Sequence, residues 1–114
     1  MKTKEILQLD CRKPENQKTI QRVLRQIKPL SKFSEEHEIP LSAIEKAIQV
    51  MDRKYGIGIK DLEPDTSSNK EGTIWRAKLE RRETFKVLDT AYGLSIYEAL
   101  AKSAIRIYAE VRRS

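Results

Sequence analysis

Apolar positions recur with a helical period along the first third of the chain. Those between residues 14 and 28 follow the i, i+3, i+4, i+7 spacing of one helix face. They are Ile20, Val23, Leu24 and Ile27. Pro14 suits a first helical position, where its missing N–H has no partner to lose, and Pro29 prevents the helix from continuing. The pattern predicts an amphipathic helix from Pro14 to about Lys28, followed by a polar loop over residues 31–40.

A second helix is predicted over residues 41–55. Ser42 and Glu45 have the spacing of a capping box, in which two side chains satisfy free backbone N–H groups of the first turn. The apolar stripe of this helix consists of Ile44, Ala47, Ile48 and Met51. Gly56 then ends the helix, because glycine enters the left-handed conformation without a steric cost.

A third, longer helix is predicted from residue 95 to about residue 112. It begins at a second capping box, Ser95 with Glu98. Its apolar stripe is wide and consists of Tyr97, Leu100, Ala101, Ala104, Ile107, Tyr108 and Val111. A stripe of this width is typical of a helix that covers a broad part of a core.

Between the second and third helices the hydrophobic period changes to two, which is typical of half-buried strands. Three such runs are separated by a polar loop at residues 63–72 and a tight turn near residues 81–83. The alternating positions assigned to the inner face are Ile57, Ile59, Trp75, Ala77, Leu79, Phe85 and Val87. The outer face is assigned the basic residues Arg76, Lys78 and Lys86 and a small apolar spot of Ile74 and Leu88. The pattern predicts an antiparallel meander.

The predicted order of elements is α-α-β-β-β-α, an α+β fold in which helices pack on one face of a three-stranded antiparallel sheet. A length of 114 residues suits a single domain, residues 1–114. Within it, residues 1–34 form a basic N-terminal segment with a helix, and residues 41–112 form an α-β-β-β-α core.

The composition is that of a soluble globular protein, with 39% hydrophobic and 35% charged residues. No apolar run approaches the roughly 18 residues of a membrane span, and the N-terminus lacks the apolar core of a signal peptide. A cytoplasmic location is therefore expected. The net charge of +6 is uneven: residues 1–34 hold nine Lys and Arg against three acids, and residues 35–114 hold 14 of each sign. Such an asymmetry indicates an anionic partner.

The candidate anion-binding residues lie on the polar side of the first helix and just before it. They are Arg12, Lys13, Lys18, Arg22, Arg25 and Lys28. Lys and Arg provide the charge and the reach that phosphate contacts require, without reading a base sequence. The predicted partner is nucleic acid or a nucleotide-like anion, and Arg76, Lys78 and Lys86 form a secondary candidate surface.

Catalytic and metal chemistry is poorly represented in the sequence. The chain has one histidine, His37, in a run of acids, and one cysteine, so a zinc site or a Cys–His pair has no supporting spacing. No Gly-rich phosphate loop is present, and no cofactor, metal site or enzymatic activity is predicted. Cys11 has two interpretations: a thiol made reactive by Arg12 and Lys13 if it is exposed, or a small hydrophobic residue at the edge of the first helix.

The last three-quarters of the chain resembles two protein families. Its element order is similar to that of a double-stranded-RNA-binding domain, but the Lys-Lys-x-Ala-Lys signature of that family is replaced by SIYEALAK at residues 95–102. Residues 41–112 resemble the phage-type ABA-sandwich small proteins in AIEKAIQVMDRKYGIGI, in the strand with Trp75 and in AYGLSIYEALAKSAI. That resemblance implies a phage or mobile-element protein, a group in which some members sequester cyclic nucleotide signals.

A second hypothesis belongs to a different class. The basic helix could instead dock on an acidic protein surface, so that the chain acts as an interaction or inhibitor module. A homo-oligomer formed through the outer sheet face, with Ile74 and Leu88, belongs to the same hypothesis.

Overall fold

A computed structural model describes residues 3–65 and 72–113 of the protein. The helices are α1 (Thr3–Leu7), α2 (Pro14–Leu24), α3 (Leu41–Tyr55) and α4 (Ile96–Arg113), with a short 3-10 helix at Lys28–Leu30. The strands are β1 (Ile57–Pro64), β2 (Trp75–Arg81) and β3 (Lys86–Gly93). The predicted α+β class and the order α-α-β-β-β-α are confirmed for α2 to α4, and the five-residue helix α1 precedes them.

The three strands form one antiparallel sheet in the order β1-β2-β3. Helix α3 packs on β1, and α4 packs on all three strands and also contacts α1, α2 and α3. The predicted stripes of α2, α3 and α4 meet in one core, in which Leu24, Ile44, Leu79 and Ile107 are at most 1% exposed. Most of the polar loop predicted at 63–72 lies outside the described residues.

Helix α2 ends at Leu24, earlier than predicted. Ile27 leaves helical angles (φ −73°, ψ 120°), and Lys28 belongs to the separate 3-10 helix that contains Pro29. Continuing the α-helix would require an N–H at Pro29 to bond the carbonyl of Arg25, and proline has none. The predicted boundary was therefore wrong by about one turn, because the effect of a proline extends back into the helix that precedes it.

One of the two predicted capping boxes is present, with its return hydrogen bond shifted by one residue. Helix α3 is preceded by Pro40 at its N-cap, without a side-chain cap, and Ser42 already lies inside the helix, so that prediction was wrong. At α4 the backbone N–H of Glu98 donates to Ser95 Oγ at 3.1 Å, and the Glu98 carboxylate accepts from the N–H of Leu94. Gly56 ends α3 in the left-handed conformation (φ 69°), as predicted.

A β-bulge reverses the predicted facing of the third strand. Leu79 pairs with Asp89 and the next residue, Glu80, pairs with Val87, so Leu88 is the extra residue. Beyond a bulge the alternation of side chains changes phase. Val87 is therefore 44% exposed, whereas Leu88 packs against the main core. The predicted inner position of Val87 and the predicted outer position of Leu88 were both wrong.

Phe85 was also predicted to face the core, and it is 77% exposed at the turn between β2 and β3. Its φ of 57° is positive, the left-handed conformation that bulky side chains seldom adopt. Trp75, in contrast, is packed on the side of Ala77, as predicted, and its other neighbours are Ala91 and Ala99 at the junction of the sheet with α4.

We expect Phe85→Asn to raise the free energy of unfolding by about 0.5–1 kcal/mol, because asparagine tolerates a positive φ better than phenylalanine does. Chemical denaturation measures the change. Phe85→Ala is the matched control, since it removes the same ring but lacks the polar side chain with which asparagine bonds to the local backbone in the left-handed conformation. Equal stabilities of the Asn and Ala variants would contradict the explanation.

Candidate functional site

A groove of about 730 Å³ opens between α2, the loop that follows the 3-10 helix and the start of α4. We call residues 34–38 of this loop the acidic loop. The main side chains of the groove are, by element, Lys18, Gln21, Arg22 and Arg25 of α2, Glu35, Glu36 and Glu38 of the acidic loop, and Tyr97, Glu98 and Ala101 of α4. The groove therefore lies beside the helix that the charge distribution had indicated.

A closed set of hydrogen bonds holds the three parts of the groove together. Gln21 Nε2 donates to the Tyr97 hydroxyl at 2.8 Å, and that hydroxyl donates to the carbonyl of Ile39. The N–H of Ile39 in turn donates to Gln21 Oε1 at 2.9 Å. Each polar group of the set has a partner, which avoids the cost of a buried, unsatisfied group. Burial raises the pKa of Tyr97 to about 12, so the hydroxyl stays protonated and can donate.

Arg25 fixes the acidic loop through backbone atoms alone. Its Nη2 donates to the carbonyls of Ser34 at 2.8 Å and His37 at 2.7 Å, and its Nε donates to the carbonyl of Phe33 at 3.3 Å. Although Arg25 lines the groove, these bonds engage two of its three donor nitrogens, Nε and Nη2. Arg25 is therefore best described as a structural residue of the site, although the sequence had indicated an anion ligand.

The other predicted anion ligands differ in their surroundings. Lys18 and Arg22 line the groove, are exposed and form no ion pair with any described residue. We call these two residues the basic wall. Lys13 and Lys28 are exposed but do not line the groove. Of the six predicted residues, the structure thus brings four to the groove: Arg12, Lys18, Arg22 and Arg25.

Arg12 lies at the end of the groove and is paired with Asp10. Its Nε and Nη2 donate to the two Asp10 oxygens at 3.0 and 2.9 Å. The hydrogen bonds from Arg12 lower the pKa of Asp10 to about 2, so the pair stays charged at neutral pH. Arg12 therefore presents less free positive charge to the groove than the basic wall does.

The acidic loop is the part of the groove that the sequence interpretation missed. Glu35, Glu36 and Glu38 are exposed and line the same groove as Lys18 and Arg22 of α2. His37 is exposed, as expected for a solvated residue, and its role in holding the loop lies in its carbonyl. The groove therefore has walls of opposite charge, a property that the separate charge counts of residues 1–34 and 35–114 do not reveal.

A buried ion pair lies under the groove. Lys102 is 3% exposed, and its Nζ contacts Glu98 Oε1 at 3.0 Å and the carbonyls of Leu9 and Tyr92 at 2.8 and 3.2 Å. This lysine is the only one in the stretch that corresponds to the signature of double-stranded-RNA-binding domains. Because Lys102 is buried, it cannot contact a phosphate at the protein surface.

Cys11 lines the groove close to this ion pair. Burial, and then the nearby Glu98 carboxylate, raise the pKa of the Cys11 thiol to about 12. The neighbouring Arg12 and Lys13 do not activate it, so the interpretation of Cys11 as a small, unreactive side chain is the one the structure supports.

The secondary candidate surface is not a single basic patch. Arg76 is paired with Glu63 at 2.5 Å, Lys78 is half-buried, and Lys86 is exposed opposite Arg81 at the far end of the sheet. The arginines of the adjacent turn are also paired, Arg81 with Glu110 and Arg82 with Asp52 and Glu80. None of the three candidates, Arg76, Lys78 and Lys86, lines the groove.

Residues 3–65 and 72–113 provide neither a metal centre nor a membrane-spanning helix. Within these ranges no three His, Cys, Asp or Glu side chains come together as a metal site would require. None of the described helices is both long and apolar enough to cross a membrane.

Tyr97→Phe should lower the free energy of unfolding by about 1–3 kcal/mol, because it leaves the Gln21 amide and the Ile39 carbonyl without their partner. Urea denaturation measures the loss. Tyr108→Phe is the matched control: the Tyr108 hydroxyl makes no hydrogen bond with a described residue, and we expect a change within about 0.5 kcal/mol. Equal effects of the two variants would contradict a structural role for the hydrogen-bond set.

Alkylation by iodoacetamide at pH 8 should be at least about tenfold slower at Cys11 in the folded protein than in the urea-unfolded chain. The reason is that the raised pKa leaves very little thiolate. Mass spectrometry of the time course measures both rates. Equal rates would show that the thiol is exposed and ionised as an ordinary cysteine is.

Comparison with known proteins adds no assignment to this geometry. The chain matches no family model, no curated protein and no solved structure.

Proposed function

We propose that the protein is a non-enzymatic binding module that holds a nucleotide-like, phosphate-bearing anion against the basic wall of the groove. One observation carries the proposal: Lys18 and Arg22 are exposed, lie one helical turn apart, line a groove of ligand size and have no ion-pair partner among the described residues. Arginine can bind a phosphate through two parallel N–H bonds, and lysine adds a mobile point charge.

The opposite face of α2 supports this interpretation, because it fixes the direction of the two cations. Ile20 and Leu24 are 3% and 0% exposed in the core, so the helix cannot turn about its axis without exposing them. Binding sites that hold their charged groups in place before the ligand arrives lose less entropy on binding.

A small ligand fits these surroundings better than a long nucleic acid. Three glutamates of the acidic loop line the same groove as the basic wall, and an extended phosphate backbone that followed α2 through the groove would meet them. Charges of like sign that meet at an interface lower the affinity for the partner that carries them. We therefore place nucleic acid second to a single nucleotide-like anion.

The variant K18E/R22E should bind inorganic phosphate and AMP at least about tenfold more weakly than the wild type, because two attractive charges become repulsive. Isothermal titration calorimetry at low and at moderate salt measures the affinities, and wild-type affinity should fall as salt rises. The matched control is K46E/R53E, which makes the same charge change at two exposed, unpaired positions of α3.

Equal losses in the two double variants would show that only net charge matters, and an affinity independent of salt would remove the electrostatic basis of the proposal. A twelve-nucleotide single-stranded DNA serves as a further arm. Tighter binding of this DNA than of AMP would reverse the order of the two ligand classes.

A second candidate function is protein docking. Three exposed apolar side chains follow one another at the end of β3 and the start of α4: Tyr92 (46%), Leu94 (46%) and Ile96 (37%). The spot predicted at Ile74 and Leu88 is not available for this role, because Leu88 packs in the core. If no anion binds in the titrations above and light scattering finds a dimer, docking replaces anion binding as the preferred function.

A further inference from the structure

From the opposite charges of the two walls we infer the class of anion that the groove accepts: a sugar that carries one phosphate, of the size of a nucleoside monophosphate. This inference rests on the proposed function and adds selectivity to it. The basic wall, Lys18 and Arg22, takes the phosphate, and the acidic loop takes neutral hydrogen-bond donors of the ligand.

The size of the groove agrees with this class. A volume of about 730 Å³ falls within the range of roughly 300–1,000 Å³ that is typical of small-molecule sites. Inorganic phosphate alone would leave most of it empty. The half-buried ring of Tyr97 also lines the groove and offers an apolar surface against which a sugar or a base can pack.

The acidic loop sets the charge that a ligand can carry. Carboxylates accept hydrogen bonds from hydroxyl and amino groups, so Glu35, Glu36 and Glu38 favour sugar hydroxyls on their side of the groove. The same carboxylates repel a second or third phosphate that extends beyond the basic wall. The loop cannot easily move away, since Arg25 holds its carbonyls and Gln21 holds the N–H of Ile39.

A calorimetric series of four ligands tests the inference: inorganic phosphate, ribose 5-phosphate, AMP and ATP. We expect the wild type to bind ribose 5-phosphate and AMP at least about tenfold more tightly than phosphate, and ATP no more tightly than AMP. The difference in affinity between ribose 5-phosphate and phosphate measures the contribution of the sugar. The difference between AMP and ribose 5-phosphate measures the contribution of the base. Phosphate and AMP of equal affinity, or ATP bound more tightly than AMP, would overturn the inference.

The variant E35Q/E36Q/E38Q tests the cause of the selectivity. Removal of three negative charges should raise the ATP affinity relative to AMP by about fivefold or more. The control E45Q/D61N/E83Q makes the same charge change at three exposed, unpaired positions outside this groove and should leave the ratio unchanged. An equal change of the ratio in both variants would overturn the role of the acidic loop.

The outcomes also separate this inference from the proposed function. If the anions bind and K18E/R22E weakens them, but E35Q/E36Q/E38Q leaves their order unchanged, the inference fails and the proposed function stands. If none of the four ligands binds the wild type, the proposed function fails and the inference fails with it.

Discussion

The groove depends on one small set of hydrogen bonds among Gln21, Tyr97 and Ile39. These three residues belong to α2, α4 and the segment between them, so a single phenol joins parts of the chain that are 76 residues apart. The set is partly buried, where lost hydrogen bonds are not replaced by water at equal free energy. Without it, the start of α4 would lose its hydrogen bonds to α2 and to Ile39, and among the described residues Arg25 alone would hold the acidic loop to α2. Ligand selectivity of the kind inferred above requires the distance between the acidic loop and the basic wall to be constant.

A second polar contact, the buried pair of Lys102 and Glu98, performs a related task below the groove. Buried ion pairs add little to stability on average, because both charges lose their hydration. Here, however, Lys102 also binds the carbonyls of Leu9 and Tyr92, and so joins the segment before α2 and the end of β3 to one turn of α4. Apolar side chains could fill the same volume, but they could not select these carbonyls among others. The pair therefore acts on position more than on net stability.

Sequence reasoning recovered the features that depend on local pattern. The apolar stripe of α2, the cap of α4 at Ser95 and the end of α3 at Gly56 all follow from spacing and conformational preference within a few residues. It was wrong at the start of α3, where Pro40 is the N-cap, at the end of α2, and where distant contacts decide. The bulge at Leu88 cannot be recognised in a period-two pattern. The acidic loop lies next to α2 because Arg25 donates hydrogen bonds to three backbone carbonyls, which the sequence does not reveal. Charge counted along the chain therefore located the basic helix but not the acids opposite it.

The way in which the acidic loop is held has a consequence for how such a groove can change. Every bond that fixes the loop from α2 ends on a main-chain atom: three carbonyls for Arg25 and the N–H of Ile39 for Gln21. Main-chain atoms are the same whatever side chains the loop bears. Substitutions at Glu35, Glu36 and Glu38 can therefore alter the lining of one wall while its backbone path is retained. The scaffold and the lining are separable, and a groove built in this way can acquire a new ligand without a new fold.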